Sequence, residues 1–191
     1  MMRVITGSAR GRRLETLVGD DVTRPTTEST KEAVFSMLQF ELENRKVLDL
    51  FAGSGQLGIE ALSRGARHCT FVENNKAALR ITQNNVKHCG FDDASKCVLS
   101  DAYSFLMRKE SFDIAFLDPP YNKGLIKKCL PVLIPLMSDE GIIVCEYSVG
   151  EDMPERLDGW YADRVRRYGK TMISLYRKEL QDENCDMSGK L

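Results

Sequence analysis

The tetrapeptide Asp118-Pro119-Pro120-Tyr121 directly follows an apolar run, Phe112–Leu117, of the kind found in buried strands. Proline lacks a backbone N–H, so this stretch presents carbonyl acceptors beside the Asp118 carboxylate. The Tyr121 ring offers a face on which a planar base can stack. Acceptors beside a stacking face suit a flat molecule that carries an amine. The motif therefore predicts a site for such an amine, with all four residues of the tetrapeptide as catalytic candidates.

A second candidate site lies where the first apolar run, Val47–Phe51, meets a predicted helix. The junction contains Gly53 and Gly55, and glycine permits a tight turn and a close approach of the backbone to a ligand. In doubly wound sheets, ligands bind beyond the carboxyl ends of the strands. Glu73 closes the next predicted strand, at the spacing of an acid that takes ribose hydroxyls. The junction therefore predicts a nucleotide-type cofactor site.

Two classes of cofactor fit this layout. Gly53, Gly55 and Gly58 match the spacing of a dinucleotide fingerprint. However, Asp49 at the exit of the strand would repel a pyrophosphate and suits a cofactor that carries an ammonium and a sulfonium. Asp101, at the end of the third strand, adds an acid that could accept from an adenine amine. Three acids at successive strand ends favour S-adenosylmethionine, and an NAD-binding oxidoreductase remains the alternative.

The elements that must position these residues alternate between strand and helix from residue 46 onward. Segments 161–168 and 171–178 then alternate like exposed strands around Gly169-Lys170, which predicts a hairpin. The pattern predicts an α/β fold with a seven-stranded, mostly parallel sheet, helices on both faces and an antiparallel C-terminal hairpin. Pro131 and Pro135 predict either a kink in the helix of residues 123–137 or two short helical pieces. We expect a small β extension at 1–25, a main domain at 26–178 and a disordered acidic tail at 179–191.

Composition narrows the class of protein. The chain has 191 residues, of which 42% are hydrophobic, so it can form one domain with a proper core. It has no apolar stretch near the roughly 20 residues that span a bilayer, and no apolar signal core at its start. Its six cysteines form no C-x-x-C pair, and its two histidines have no metal-ligand spacing. We expect a cytoplasmic protein without a metal or a membrane contact, and a monomer by default.

The formal net charge of −1 is unevenly distributed. Basic side chains gather near both ends of the body, at Arg3, Arg10, Arg12 and Arg13 and at Arg164, Arg166, Arg167 and Lys170. Either cluster could be a solvated face or a contact with RNA. The sequence leaves both interpretations open.

Taken together, Asp49–Gly55, Glu73, Asp101 and Asp118–Tyr121 resemble a Rossmann-like class I S-adenosylmethionine-dependent methyltransferase that methylates amines. The front of the chain narrows the resemblance to the bacterial RsmD family, through Arg3–Gly7, Gly11-Arg12, Arg24–Thr27 and Leu48–Ala66. Members of that family methylate the N2 amine of a guanine in 16S ribosomal RNA and release S-adenosylhomocysteine. The resemblance covers residues 3 to about 178. It implies that this chain acts on 16S ribosomal RNA in an assembling or complete small ribosomal subunit.

The resemblance also assigns roles to individual residues. It implies that Asp118 and its motif hold the target amine beside the cofactor. The implied cofactor-binding residues are Arg24, Thr26, Asp49, Phe51, Ala52, Gly53, Ser54, Gly55, Glu73, Asn74, Asp101, Ala102 and Asp118. The implied RNA-binding residues are Arg10, Arg12, Arg13, Arg166 and Arg167.

Other functions share parts of this pattern. Adenine-N6 DNA methyltransferases use the same Asp-Pro-Pro-Tyr box, but they normally carry a separate recognition region for which this chain has little room. Protein-glutamine methyltransferases usually begin the box with Asn, so Asp118 counts against them. A non-catalytic RNA-binding module would not need acids at all four strand ends.

Overall fold

The structure, a computed structural model, describes residues 2–16, 28–121 and 123–179. The described residues form α-helices and strands that alternate in the first half of the chain. The helices are α1 (Glu28–Met37), α2 (Gln56–Ser63), α3 (Lys76–Cys89), α4 (Ala102–Leu106) and α5 (Leu125–Leu133). The strands are β1 (Lys46–Asp49), β2 (His68–Glu73), β3 (Ser95–Leu99), β4 (Phe112–Leu117), β5 (Met137–Ser148), β6 (Arg156–Leu157), β7 (Trp160–Tyr168) and β8 (Thr171–Lys178). None of the helices in these three ranges is long and apolar enough to cross a bilayer.

All strands belong to one sheet with the order β3-β2-β1-β4-β5-β8-β7-β6. The first five are parallel, and β8, β7 and β6 add to β5 in antiparallel fashion. The predicted parallel sheet with an antiparallel terminal hairpin is confirmed. The predicted count of seven strands was wrong, because the two-residue strand β6 pairs with the start of β7 and makes eight. Two residues are too few to show the period on which a sequence prediction depends.

Helices cover both faces of the sheet, as predicted. One core cluster joins the first face to α1, α2, α3 and the N-terminal segment of residues 2–16, and the other joins the second face to α4 and α5. Consecutive strand residues alternate between the two faces, so Val47 lies in the first cluster and Leu48 in the second. Of the two predicted outcomes for the helix that contains Pro131 and Pro135, the structure has two pieces: α5, which contains Pro131, and a short 3-10 helix, Ile134–Leu136.

The N-terminal segment packs on α2, the helix that follows the glycine-rich loop. Its only β pairing within residues 2–16 is an isolated bridge between Arg3 and Arg13. A Cβ added to Gly7 would lie 1.7 Å from the carbonyl oxygen of Ser63, so the segment approaches the helix as closely as a glycine allows. The Ser63 hydroxyl donates to the carbonyl of Thr6 at 2.6 Å. Every residue of α2 is buried as a result.

A buried carboxylate ties this segment to the helices. Glu60 on α2 is fully buried and accepts hydrogen bonds from the backbone N–H groups of Ile5 at 2.8 Å and Thr6 at 2.9 Å. Its side chain also pairs with Arg64 at 2.9 Å and with the buried Lys31 of α1 at 3.5 Å. A buried charge is tolerated only with such partners. The N-terminal segment is therefore part of the core and not a loose arm.

Two predicted regions fall mainly outside the described residues. Residues 17–27 include the later part of the predicted β extension, with Arg24, and the predicted start of the main domain, with Thr26. Residues 180–191 make up nearly all of the predicted acidic tail.

Candidate active site

The glycine-rich loop between β1 and α2 forms a turn that only glycine adopts readily. Gly53 and Gly55 have φ angles of 54° and 80°, in the left-handed region. A Cβ on Gly53 would have no heavy atom within 4 Å, whereas one on Gly55 would lie 2.8 Å from Cγ2 of Thr82. The loop therefore leaves open space beside Gly53 and packs closely behind Gly55. Of the other predicted loop residues, Ala52 is buried, and Phe51 and Ser54 are half-buried.

Glu73, at the end of β2, holds this loop in place. One carboxylate oxygen accepts from the N–H of Gly53 at 2.9 Å, and the other accepts from the N–H of Asn75 at 2.8 Å. Asn75 begins α3, and its neighbour Asn74 is exposed. Glu73 thus joins the turn after β1 to the turn after β2. Each of its oxygens keeps a second lone pair for a further donor.

Asp49 is the most deeply buried acid of the site, with only 2% of its surface exposed. Its carboxylate accepts from the N–H of Gly58 in the first turns of α2 at 3.0 Å. The pKa of Asp49 is raised to about 7, mainly by burial and to a smaller extent by the nearby charges of Asp118 and Glu73, while the hydrogen bond from Gly58 acts in the opposite direction. The described ion pairs include no cation for Asp49 or Glu73. The neighbouring carboxylates of Asp49, Asp118 and Glu73 would together stabilise a positively charged ligand.

The Asp-Pro-Pro-Tyr motif follows β4, directly beside β1 in the sheet. The order of the strands reverses between β1 and β4, which is the place where doubly wound sheets bind their ligands. Asp118 is half-buried, Pro119 is buried, and Pro120 is exposed. The structure thus brings Asp118 close to Asp49, as the effect of its charge on the pKa of Asp49 indicates. The residues predicted for the amine therefore lie beside those predicted for the cofactor, at the same edge of the sheet.

A further acid, Glu146 on β5, lies beside this motif and was not predicted. Leu117 and Cys145 are the last paired residues of β4 and β5, so Asp118 and Glu146 follow at equivalent positions. The Tyr121 hydroxyl donates to Glu146 at 2.9 Å and is 3.1 Å from the hydroxyl oxygen of Thr171. The sequence did contain a signal for Glu146, because this acid follows the apolar run 142–145 just as Asp49 and Glu73 follow the apolar residues of β1 and β2.

The sheet register places these acids on one face. Phe116 of β4 pairs with Asp49 on one side and with Val144 on the other, so these three side chains share one face of the sheet. Glu146 is two residues beyond Val144 on β5, so its side chain lies on the same face. Phe71 of β2 also pairs with Asp49, and Glu73 is two residues beyond Phe71, so the Glu73 side chain lies on this face as well. This is the face covered by α2 and the N-terminal segment.

Asp101 lies at the expected strand end and caps the following helix. Its carboxylate accepts from the N–H of Ser104 at 2.9 Å, and hydrogen bonds with the side chain and the N–H of Ser104 lower the pKa of Asp101. The side chain is exposed, and Ala102 beside it is half-buried. Asp101 is thus both a helix cap and an acid available at the carboxyl edge of β3.

Two residues of α3 support the glycine-rich loop from behind and were also not predicted. The Thr82 hydroxyl donates to the carbonyl of Gly53 at 2.7 Å, and the Asn85 amide donates to the carbonyl of Ser54 at 2.9 Å. Both side chains are buried. No local sequence signal marks them, since their partners lie 29 and 31 positions away.

The predicted RNA-binding arginines are all exposed, and they divide between surfaces. Arg10, Arg12 and Arg13 lie on the N-terminal segment, where Arg12 donates to the carbonyl of His88. Arg166 pairs with Ile173, which belongs to the core cluster that includes the N-terminal segment. Arg167 pairs with Met172, which packs against the core cluster on the other face of the sheet. Directly paired residues point to the same face. Arg166 therefore shares the face of the acids, and Arg167 lies on the other face.

Comparisons with known proteins agree with this geometry. The family model described as "Conserved hypothetical protein 95" matches residues 2–177. YlbH of Bacillus subtilis is 37% identical over 183 residues, which cover 93% of this chain and 99% of YlbH. Ribosomal RNA small subunit methyltransferase D of Escherichia coli is 34% identical over 188 residues, which cover 96% and 93% of the two chains. The solved structure of yhhF from Escherichia coli has a TM-score of 0.84 at 34% identity and covers 94% of this chain and 99% of that one. The chain therefore belongs to the Conserved hypothetical protein 95 family, which is the RsmD family.

Proposed function

We propose that this protein transfers a methyl group from S-adenosylmethionine to the N2 amine of a guanine in 16S ribosomal RNA. The observation that carries the proposal is the placement of Asp118 beside the buried Asp49, in a motif whose Tyr121 contacts Glu146 on the next strand. This arrangement would put an acceptor for the target amine beside a site for a cationic nucleoside, at one edge of the sheet. The similar Escherichia coli protein is named a small-subunit ribosomal RNA methyltransferase.

The cofactor fits the residues present. Asp49 is buried with its pKa raised to about 7, so a cationic ligand would be stabilised beside its charged form. The open space at Gly53 leaves room for a ligand against the backbone. Phe51, Ala52, Ser54 and Gly55 would line the methionine end, Glu73 and Asn74 the ribose, and Asp101 and Ala102 the adenine. Arg24 and Thr26 would close over the cofactor. When bound, S-adenosylmethionine supplies an electrophilic methyl group.

The chain's own residues would prepare the amine for attack. The lone pair of an aryl amine is delocalised into its ring, so the amine is a poor nucleophile. If the Asp118 carboxylate and the Pro119 carbonyl each accept one N–H, the lone pair turns out of the ring plane. Asp118 must remain ionised to accept, and it could take up the proton released later. Holding the amine in line is worth up to ~7–11 kcal/mol of the barrier.

The base itself would be held by stacking. An enzyme that acts on a base must first separate it from its neighbours, and Tyr121 would then stack on the exposed guanine. Arg10, Arg12 and Arg13, with Arg166 and Arg167, would contact the RNA. With a net charge near zero, the protein would neutralise few phosphates, so an assembling or complete small subunit is the substrate we propose. We expect it to act in the cytoplasm as a monomer.

The decisive experiment is mass spectrometry of 16S ribosomal RNA from cells with and without the gene. Loss of one N2-methylguanine, restored when purified protein and S-adenosylmethionine are added to the unmodified small subunits, is the expected result. A methyl group found on an adenine instead, or no change in the RNA, would refute the proposed substrate.

A further inference from the structure

The Tyr121 hydroxyl is held on two sides by residues of the central sheet. It lies 2.9 Å from a carboxylate oxygen of Glu146 on β5 and 3.1 Å from the hydroxyl oxygen of Thr171, the first residue of β8. A carboxylate only accepts, so the phenol proton points to Glu146 and the Thr171 hydroxyl donates to the phenol oxygen. The ring of a loop residue is thereby fixed by two hydrogen bonds in defined directions.

The two partners are themselves rigid. Glu146 and Thr171 are 4% and 2% exposed, and both lie in the antiparallel pair β5–β8. Thr171 pairs with Ser148, two residues beyond Glu146 on β5. A buried carboxylate requires donors to remain charged, and the phenol supplies one. The lock formed by Tyr121, Glu146 and Thr171 therefore rests on the sheet and not on the loop.

We propose that Glu146 and Thr171 are positioning residues that fix the Tyr121 ring for the target base. The inference rests on the proposed function, in which Tyr121 stacks on the base. A ring already fixed in the free protein loses little freedom when the base arrives, so binding is tighter. The turn at Gly169-Lys170 directly precedes Thr171, so RNA contacts on this hairpin would act on the same rigid unit.

The test is a double-mutant cycle on methyl transfer to small ribosomal subunits from cells that lack the gene. Tyr121→Phe keeps the ring and removes the hydroxyl, and Glu146→Gln keeps the shape and removes the charge. We expect each to raise the KM for the subunit or lower kcat/KM by about tenfold, with the affinity for S-adenosylmethionine unchanged. In the Tyr121→Phe background, Glu146→Gln should add less than about twofold, because it acts through a hydroxyl that is already gone.

Matched variants separate positioning from folding. Thr171→Val should reduce kcat/KM, and Thr171→Ser should restore it, since serine keeps the hydroxyl. Tyr147→Phe is the control, because Tyr147 bonds Ser174 at 2.6 Å across the same two strands but faces the other core cluster. It should lower the melting temperature and leave the KM for the subunit unchanged.

Two outcomes would overturn the inference. If Glu146→Gln costs as much in the Tyr121→Phe background as in the native protein, Glu146 contacts the substrate directly. If the single variants all match the native protein, the lock has no role in binding. Absence of methyl transfer by the native protein would instead refute the proposed function, so the two failures can be distinguished.

Discussion

The side chain of Asn85 joins Ser54, in the middle of the glycine-rich loop, to the N-terminal segment. It donates at 2.9 Å to the carbonyl oxygens of Ser54 and Glu15, and it accepts from the N–H of Glu15 at 2.8 Å. One buried amide thus fixes both the glycine-rich loop and the N-terminal segment, which carries Arg10, Arg12 and Arg13. The geometry of the loop therefore depends on side chains of α3, the helix that packs behind it.

We first predict that Asn85→Ala weakens the binding of S-adenosylmethionine by about tenfold. The substitution leaves two part-buried backbone carbonyls without their donor, which costs about 1–3 kcal/mol each where water cannot replace it. Calorimetry with the purified protein measures the affinity. Asn84→Ala is the control, because Asn84 is the exposed neighbour on the same helix. Equal affinities for the two variants would show that the brace does not shape the loop.

Second, the affinity for a cationic cofactor should depend on the protonation of Asp49. Burial raises the pKa of Asp49 to about 7, and a cation favours its charged form. Below about pH 7, binding should therefore release a proton from this group, and affinity should rise as the pH increases toward 8. Calorimetry in two buffers of different ionisation enthalpy counts the protons. The cofactor's own ammonium also titrates, so the informative quantity is the difference between the native protein and Asp49→Asn. No difference would contradict the assignment.

The same shift affects the stability of the free protein in the opposite sense. The pKa of Asp49 is higher in the folded protein than its value of 3.8 in the unfolded chain, so the folded protein binds the proton more tightly. This difference stabilises the fold fully only below about pH 3.8, where both states are protonated. This contribution is lost as the pH rises from about 4 to about 7. Asp49→Asn should remove this component from the pH dependence of the melting temperature.

Third, Asp118→Ala should abolish methyl transfer, with a fall of about a thousandfold or more, and leave cofactor affinity within about twofold. The resemblance also places Asp118 in the cofactor site, but its main proposed role is to hold the amine, so its loss should affect alignment far more than cofactor binding. Transfer of labelled methyl groups to unmodified small subunits and calorimetry measure the two quantities. Asp139→Ala, at an exposed acid at the start of β5, is the control. Turnover retained by Asp118→Ala would reject the role.

Fourth, Arg166→Ala should weaken binding of the small subunit more than Arg167→Ala. Arg166 shares the sheet face of the acids and the N-terminal segment, while Arg167 lies on the opposite face and donates to the carbonyl of Gly169. Removing a phosphate contact should also reduce the salt dependence of binding by about one unit of slope. Filter binding at several salt concentrations measures both effects. A larger loss for Arg167→Ala would place the RNA on the other face.

The sequence predicted best what is encoded locally. A strand buried on both faces reads as a continuous apolar run, and the acid at its end is the next residue, so Asp49, Glu73 and Asp118 could be found directly. The glycine turn was equally visible, because a positive φ at Gly53 and Gly55 requires that residue type. Charge runs were less informative. Adjacent strand residues point to opposite faces, so the grouping of Arg166 with Arg167 by charge did not describe one surface.

By itself, the sequence determined the class of fold, the edge of the sheet at which the site lies, and the acids and glycines that form it, because burial and turn geometry are periodic or local. Only the tertiary structure decided that β4 lies beside β1, that Asn85 supports the glycine-rich loop, and that Glu146 and Thr171 hold Tyr121. Thr171 is 50 positions from Tyr121. Contacts over such distances follow from how the strands pair and the helices pack, and no short window of sequence contains them.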